Sequence, residues 1–219
     1  MELSKFIAAG ILVLIVILVL IYHAIKQLIR DYKNNKRGKE GEAAIEKEIK
    51  QSGIPGNLFK NVYITFPNGN STEVDLVFLT DKGIYVIESK NYSGEVTGTE
   101  EAHDWYVKYP NGNNYSLYSP ILQNRGHINS LKYALRIDEK YFSSLIVFGE
   151  KAELKLTDIR TPVVKVDKLK LYLRHTYNNS PVSIDKTSMA SIAQHLSTMV
   201  GANPVTKAKH KKNIQKKYK

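Results

Sequence analysis

The first apolar run, Phe6 to Tyr22 (FIAAGILVLIVILVLIY), has no polar interruption and continues to Ile25 across His23. At 1.5 Å rise, about 20 residues span the ~30 Å hydrocarbon core of a bilayer, so the pattern predicts a single N-terminal transmembrane helix through residues 6–25. A cleaved signal peptide is the competing reading. The run is long for one, MELSK is barely basic, and no small-x-small site follows. Lys26, Arg30, Lys33, Lys36 and Arg37 follow directly. Basic flanks stay cytoplasmic, which predicts a single-pass cell-membrane protein, N-terminus out and C-terminal domain in the cytoplasm. The basic stretch itself would lie against anionic lipid.

Beyond the run the periodicity changes. GKEGEAAIEKEIKQSG reads as a helix of about three turns ending at Gly53. Leu58 to Phe66 reads as a strand. Glu73 to Thr80 and Ile84 to Lys90 form a hairpin around Asp81-Lys82-Gly83, and their apolar runs suit the middle of a sheet. HDWYVKYPNGNNYSLY reads as a second hairpin turning at Asn111-Gly112. Ser119 as N-cap and Pro120 at the first helical position start a helix through about Leu135. Ser143 to Gly149 and PVVKV are strands, followed by helices near Lys168 to Tyr177 and Asp185 to Val200. Helix, three strands with an appended hairpin, helix and strand predict an α/β domain, a mixed central sheet flanked by helices on both faces.

Charge sharpens the division of the chain. Of a net +11 over 219 residues, the tail Lys207 to Lys219 supplies +7, and Lys26 to Lys39 holds six basic residues against Asp31. Both patches could attract lipid or nucleic-acid phosphates, or simply remain solvated. The expected organisation is an anchor (1–25), a basic juxtamembrane segment (26–37), a core domain (38–150), a C-terminal strand and helical extension (151–203) and a basic tail (204–219). The chain has no cysteine, which excludes disulfides, thiolate zinc sites and cysteine nucleophiles. No two of the six histidines stand at i, i+4 spacing, so no zinc-type site is expected.

The chemistry lies in the first hairpin. Asp75 interrupts an apolar strand, and Glu88 and Lys90 close the next one. A carboxylate buried in a sheet costs several kcal/mol unless it is paired or holds a metal. Glu88 and Lys90 project from one strand face, and the short turn sets Asp75 opposite Glu88 or Ser89. In the first register the two carboxylates meet and repel unless a cation lies between them. Mg2+ would satisfy both, and Lys90 could orient or deprotonate an attacking water and offset developing negative charge. The alternative is an ordinary strand end with Asp75 paired to a lysine. The hairpin alone leaves both open.

Asp75 followed by Glu88-Ser89-Lys90 after a hydrophobic strand resembles the PD-(D/E)xK nuclease superfamily. With GKEGE (Gly38 to Glu42) and SPILQ (Ser119 to Gln123), in that order, the chain more narrowly resembles the nuclease-related domain, NERD, over approximately Arg37 to Gly149. The proline of the superfamily name is absent, Val74 preceding Asp75. The resemblance implies a restriction-endonuclease-like fold, Asp75 and Glu88 as metal ligands and Lys90 as the catalytic lysine. It further implies Glu42 as an acid facing the site and Gln123 as a group positioning the lysine or the scissile phosphate. Glu73, by period-2 alternation on the Asp75 face, would be a supporting group.

The reading this yields is a membrane-anchored Mg2+-dependent (or Mn2+-dependent) deoxyribonuclease, with DNA before RNA as substrate. The alternative is a tethered nucleic-acid-binding or scaffold module that does not cleave; a third reading is a cleaved, exported nuclease. Tyr85, Tyr92, Trp105, Tyr106, Tyr109, Tyr115 and Tyr118 cluster near the candidate site in sequence. They could stack on bases, although aromatics also simply suit strands.

Overall fold

The computed structural model describes residues 2–201, with side chains at residue 10 and from residue 14 onward. The expected basic tail, 204–219, lies outside them. The chain divides into two units, residues 1–39 and residues 40 onward. The first is helical and belongs to α1 (Glu2–Ser52), whose described side chains before residue 40 are exposed.

Among the described residues no helix is long and apolar enough to cross a membrane. This corrects the expected transmembrane segment, and with it the single-pass cell-membrane placement and the N-out orientation. The apolar side chains described there, Leu14 to Tyr22, are followed at once by His23 and then by Lys26 and Arg30 within the same helix.

The second unit is built on a five-stranded sheet ordered β1-β2-β3-β7-β9. Its strands are β1 (Asn57–Thr65), β2 (Ser71–Thr80), β3 (Gly83–Lys90), β7 (Phe142–Phe148) and β9 (Val163–Lys165). β1, β2 and β3 pair antiparallel, whereas β3–β7 and β7–β9 are parallel. The sheet is mixed, as expected. Leu76, Phe78, Tyr85 and Ile87 face Ile45 and Ile49 of α1 and Leu169 and Leu173 of α3 (Val166–Asn178). Val77, Leu79, Ile84 and Val86 face Ile128 and Leu131 of α2 (Pro120–Leu135) and Ile192 and Leu196 of α4 (Lys186–Met199). Apolar burial on both faces explains why these strands read as continuous rather than alternating.

The appended hairpin, β5 (Asp104–Lys108) and β6 (Asn114–Tyr118), belongs to a second sheet that the sequence pattern did not reveal. Its order is β6-β5-β4-β8, completed by β4 (Gly94–Gly98) and β8 (Ala152–Leu156). β4 and β8 pair in parallel although more than fifty residues separate them, a contact that no local pattern encodes. Trp105, fully buried, holds this sheet to the first: its ring stacks on Phe148 at 6.3 Å, and its Nε1–H donates to Thr99 O.

Candidate active site

The site is set where β2 and β3 separate. Their ladder runs from Thr80↔Gly83 to Leu76↔Ile87 and stops there. This is the two-residue-loop register, which brings Asp75 to the level of Glu88. On its other side β2 pairs Lys60↔Leu76 and then Val62↔Val74, and Asn61 between them adopts a left-handed backbone with φ 51°. At this level both strands exchange faces. Leu58 and Leu76 belong to the α1/α3 core, whereas Val62 and Val74 belong to the α2/α4 core. Asp75 therefore occupies an irregularity of the sheet. The switch also removes the alternation argument for Glu73, whose carboxylate instead takes the hydroxyl of its cross-strand partner Tyr63.

Three elements bring the predicted residues together. Asp75 Oδ2 accepts from the backbone N–H of Ser89 at 3.0 Å. Lys90 Nζ donates to Glu88 Oε1 at 2.5 Å and to Gln123 Oε1 at 3.0 Å. Gln123 reaches the lysine because Ser119 caps α2, its hydroxyl accepting from Leu122 N, with Pro120 opening the helix as expected. Glu42, half-buried on α1, lies close enough to Asp75 for its charge to disfavour the Asp75 carboxylate. Gly41 permits that approach, since a Cβ there would stand 3.1 Å from both Asn91 Cβ and Ser89 Oγ.

The electrostatics are those of two carboxylates competing for one cation. Burial, then the neighbouring Glu88 charge, pushes the Asp75 carboxyl well above its ordinary value. Glu88 is only 1% exposed. Burial pushes it up too, but this is outweighed, chiefly by the Lys90 ammonium, and it ends below the ordinary range. Burial would lower the Lys90 ammonium; Glu88 and then Asp75 more than offset it, so Lys90 is held more firmly protonated than a free lysine. Glu88 and Gln123 thus hold Lys90 as a cation in one position.

Two residues outside the sequence reading join the site. His127, 5% exposed, stands one helical turn after Gln123, with Nε2 3.4 Å from Gln123 Nε2 and 3.2 Å from Glu88 Oε2. Its Nδ1 lies 3.1 Å from Thr72 Oγ1 of β2. Asn124, fully buried, donates through Nδ2 to Val86 O and Ser144 Oγ at 2.8 Å each, fastening α2 to β3 and β7. The i, i+4 spacing of Gln123 and His127 was a signal in the sequence; the distant Thr72 was not.

Cation-holding capacity can be judged from these atoms. Glu88 Oε2 is buried, and the group nearest it is His127 Nε2 at 3.2 Å, whose proximity helps to lower the Glu88 carboxyl after Lys90. Beside it is a second carboxyl, Asp75, which burial and then the Glu88 charge push well above the ordinary range. An oxygen-seeking cation would remove both penalties. No group of three or more acidic, histidine or cysteine side chains forms a metal-ligand cluster among the described residues. A divalent cation held by these two carboxyls would keep several waters.

No solved structure matches the chain significantly. An uncharacterized protein of Bacillus anthracis is 24% identical over 210 residues, covering 93% of this chain and 92% of the relative. The family model of the nuclease-related domain matches residues 37–149, which include the three blocks quoted above and the whole Asp75, Glu88, Lys90 and Gln123 cluster. On that match the chain belongs to the nuclease-related domain family.

Proposed function

We propose that the domain is a metal-dependent nuclease that hydrolyses phosphodiester bonds of DNA. Membership in the family supports nuclease-like chemistry on nucleic acid. The observation that carries the finer reading is the meeting of Asp75 and Glu88 beside a lysine that Glu88 and Gln123 hold in place. Asp75 and Glu88 Oε2 would hold Mg2+ or Mn2+, with Glu42 near Asp75 favouring positive charge. When bound, such an ion supplies Lewis-acid stabilisation of phosphate charge and a more acidic water.

The chain's own groups carry the rest. Lys90, kept as an ammonium, is placed to meet negative charge developing on the phosphate oxygens. Gln123 Oε1 and Glu88 Oε1 restrict the lysine to one position, so little reorganisation is needed when the phosphate arrives.

The test is to incubate the purified full chain with plasmid, linear duplex and single-stranded DNA, and with RNA. Cleavage of DNA with Mg2+ or Mn2+, abolished by EDTA and by Asp75→Ala, is expected. Binding without cleavage under every metal and substrate would replace this reading by that of a nucleic-acid-binding module.

A further inference from the structure

The second sheet carries two tyrosines of nearly equal exposure on opposite faces. Residues paired across an antiparallel ladder share a face. Trp105 pairs with Leu117 and Val107 with Tyr115, and Trp105, Val107 and Leu117 are buried in a core shared with Phe148 of β7. Tyr115 therefore projects from the core side of the sheet, yet it is 53% exposed. Tyr106, 56% exposed, pairs with Ser116 and projects from the other side. Tyr115 thus looks onto what lies on the core side beyond the core itself.

The end of β3 lies there. Tyr92 packs against the same core and meets Tyr115 with ring centroids 6.2 Å apart and planes at 32°. Tyr92 follows Lys90 by two residues, which span at most about 7 Å of chain. Burial pushes the Tyr92 hydroxyl up and the Lys90 ammonium opposes it, with Tyr115 and Tyr109 next in effect, so the lysine's field reaches the ring. Tyr92 backs Tyr115, and more than half of Tyr115 stays open. A cation for a phosphate and a braced aromatic face for a base are thereby set side by side. Stacking on such a face is tolerant of sequence, but it requires a base whose own face is free.

We propose that Tyr92 and Tyr115 form a stacking seat for an unpaired base beside the scissile phosphate, so that the domain acts on a single strand or on the unpaired end of a duplex. This rests on the nuclease reading above for where the strand lies, but the seat can be read without cleavage. The full chain, in EDTA, is titrated into a fluorescein-labelled thymidine oligonucleotide and into an abasic strand of equal length, which keeps the phosphates and removes the bases. Anisotropy should show about tenfold tighter binding of the thymidine strand, within the range lost when a base-stacking aromatic is removed. Tyr115→Leu should abolish that preference and leave the abasic strand unaffected, whereas Tyr115→Phe should retain it. Tyr115 is largely exposed, so its replacement spares the core. Tyr92→Leu, which keeps apolar bulk against the core, should act as Tyr115→Leu does. Tyr106→Leu, on the opposite face, should change nothing. Equal binding of the two strands, or an equal loss in Tyr106→Leu, overturns the proposal. So does a loss in Tyr115→Leu that extends to the abasic strand. If the preference depends on Tyr115 but no nucleic acid is cut with any metal, the nuclease reading fails and the seat stands. If DNA is cut and Tyr115→Leu leaves single-strand binding unchanged, the seat alone fails.

Discussion

The backbone N–H of Ser89 donates to Asp75 Oδ2 at 3.0 Å, one residue beyond the last Leu76↔Ile87 pair of the β2–β3 ladder. A side-chain carboxyl thus takes the donor that the ladder no longer serves, and the two strands part around it. Asp75 has a structural duty beside the chemical one proposed for it.

Those duties separate in Asp75→Asn. The amide oxygen can still accept from Ser89, so the fold should survive while cation binding and cleavage are lost. Stability against pH gives the sign. The Asp75 carboxyl is raised in the folded state, so its contribution is present below the ordinary range near 3.8 and is lost as pH rises toward the raised value. Asparagine has no such loss. In EDTA the variant should be at least as stable as the wild type at neutral pH, with the difference vanishing below about pH 4. Urea melts across that range measure it, and a variant destabilised more at neutral pH than in acid would contradict it.

Lys90→Met tests the pair beneath the chemistry. Removing the ammonium strands the Glu88 carboxylate, which is 1% exposed, and breaking a buried pair costs about 3–5 kcal/mol. The double variant Glu88→Gln, Lys90→Met should recover much of that loss and remain inactive. Chemical denaturation of the single and double variants, set beside their cleavage rates, distinguishes a lost catalytic group from a lost fold.

A further acid response comes from Glu46, one turn beyond Glu42 on α1. Hydrogen bonds from Lys50 and Lys60 lower its carboxyl to about 2, tying the end of α1 to β1. A lowered carboxyl stabilises above the unfolded value near 4.5, and that stabilisation is lost as pH falls from there to about 2. Both lysines are exposed, so Glu46→Gln should cost no more than ~1 kcal/mol at pH 7 and nothing near pH 2. Equal destabilisation at both pH values would indicate a packing effect instead.

Glu100 holds the second sheet. Its buried carboxylate accepts from the N–H groups of Arg160 and Thr161 and from the Thr161 hydroxyl, joining the β4–β5 connection to the segment before β9. Glu100→Ala leaves these donors without their acceptor, at a cost of about 2–3 kcal/mol. Hydrogen exchange should accelerate in β4 and β5 before β2 and β3. Uniform acceleration would show that the two sheets unfold together.

Much of this site was legible in local sequence because its parts are local. Spacing alone narrowed the residue opposite Asp75 to Glu88 or Ser89, and the two-residue turn seen in the structure selects Glu88. Ser119, Pro120 and Gln123 were legible for the same reason, as a cap sets where the first turn of a helix points. Glu42 and the role of Gln123 came only through resemblance, since nothing in GKEGE by itself distinguishes a site acid from a solvated one.

What tertiary structure alone decided involves pairs distant along the chain. The expected membrane helix rested on an apolar run, but the described part of α1 lacks a span of sufficient length and apolarity. The β4–β8 pairing, which turned an appended hairpin into a second sheet, is a parallel contact across more than fifty residues. Thr72 meets His127 only because α2 packs on the face of β2, and the left-handed Asn61 beside Asp75 shows itself only once β1 and β2 are paired. Sequence by itself determined the elements of the central sheet and the carboxylate–lysine hairpin, because turns, caps and periodicity act over a few residues. Packing decided which ring nitrogen faces Gln123 and which carboxylate oxygen lies beside it, because those choices depend on side chains that only the folded sheet and helix bring within 3.5 Å.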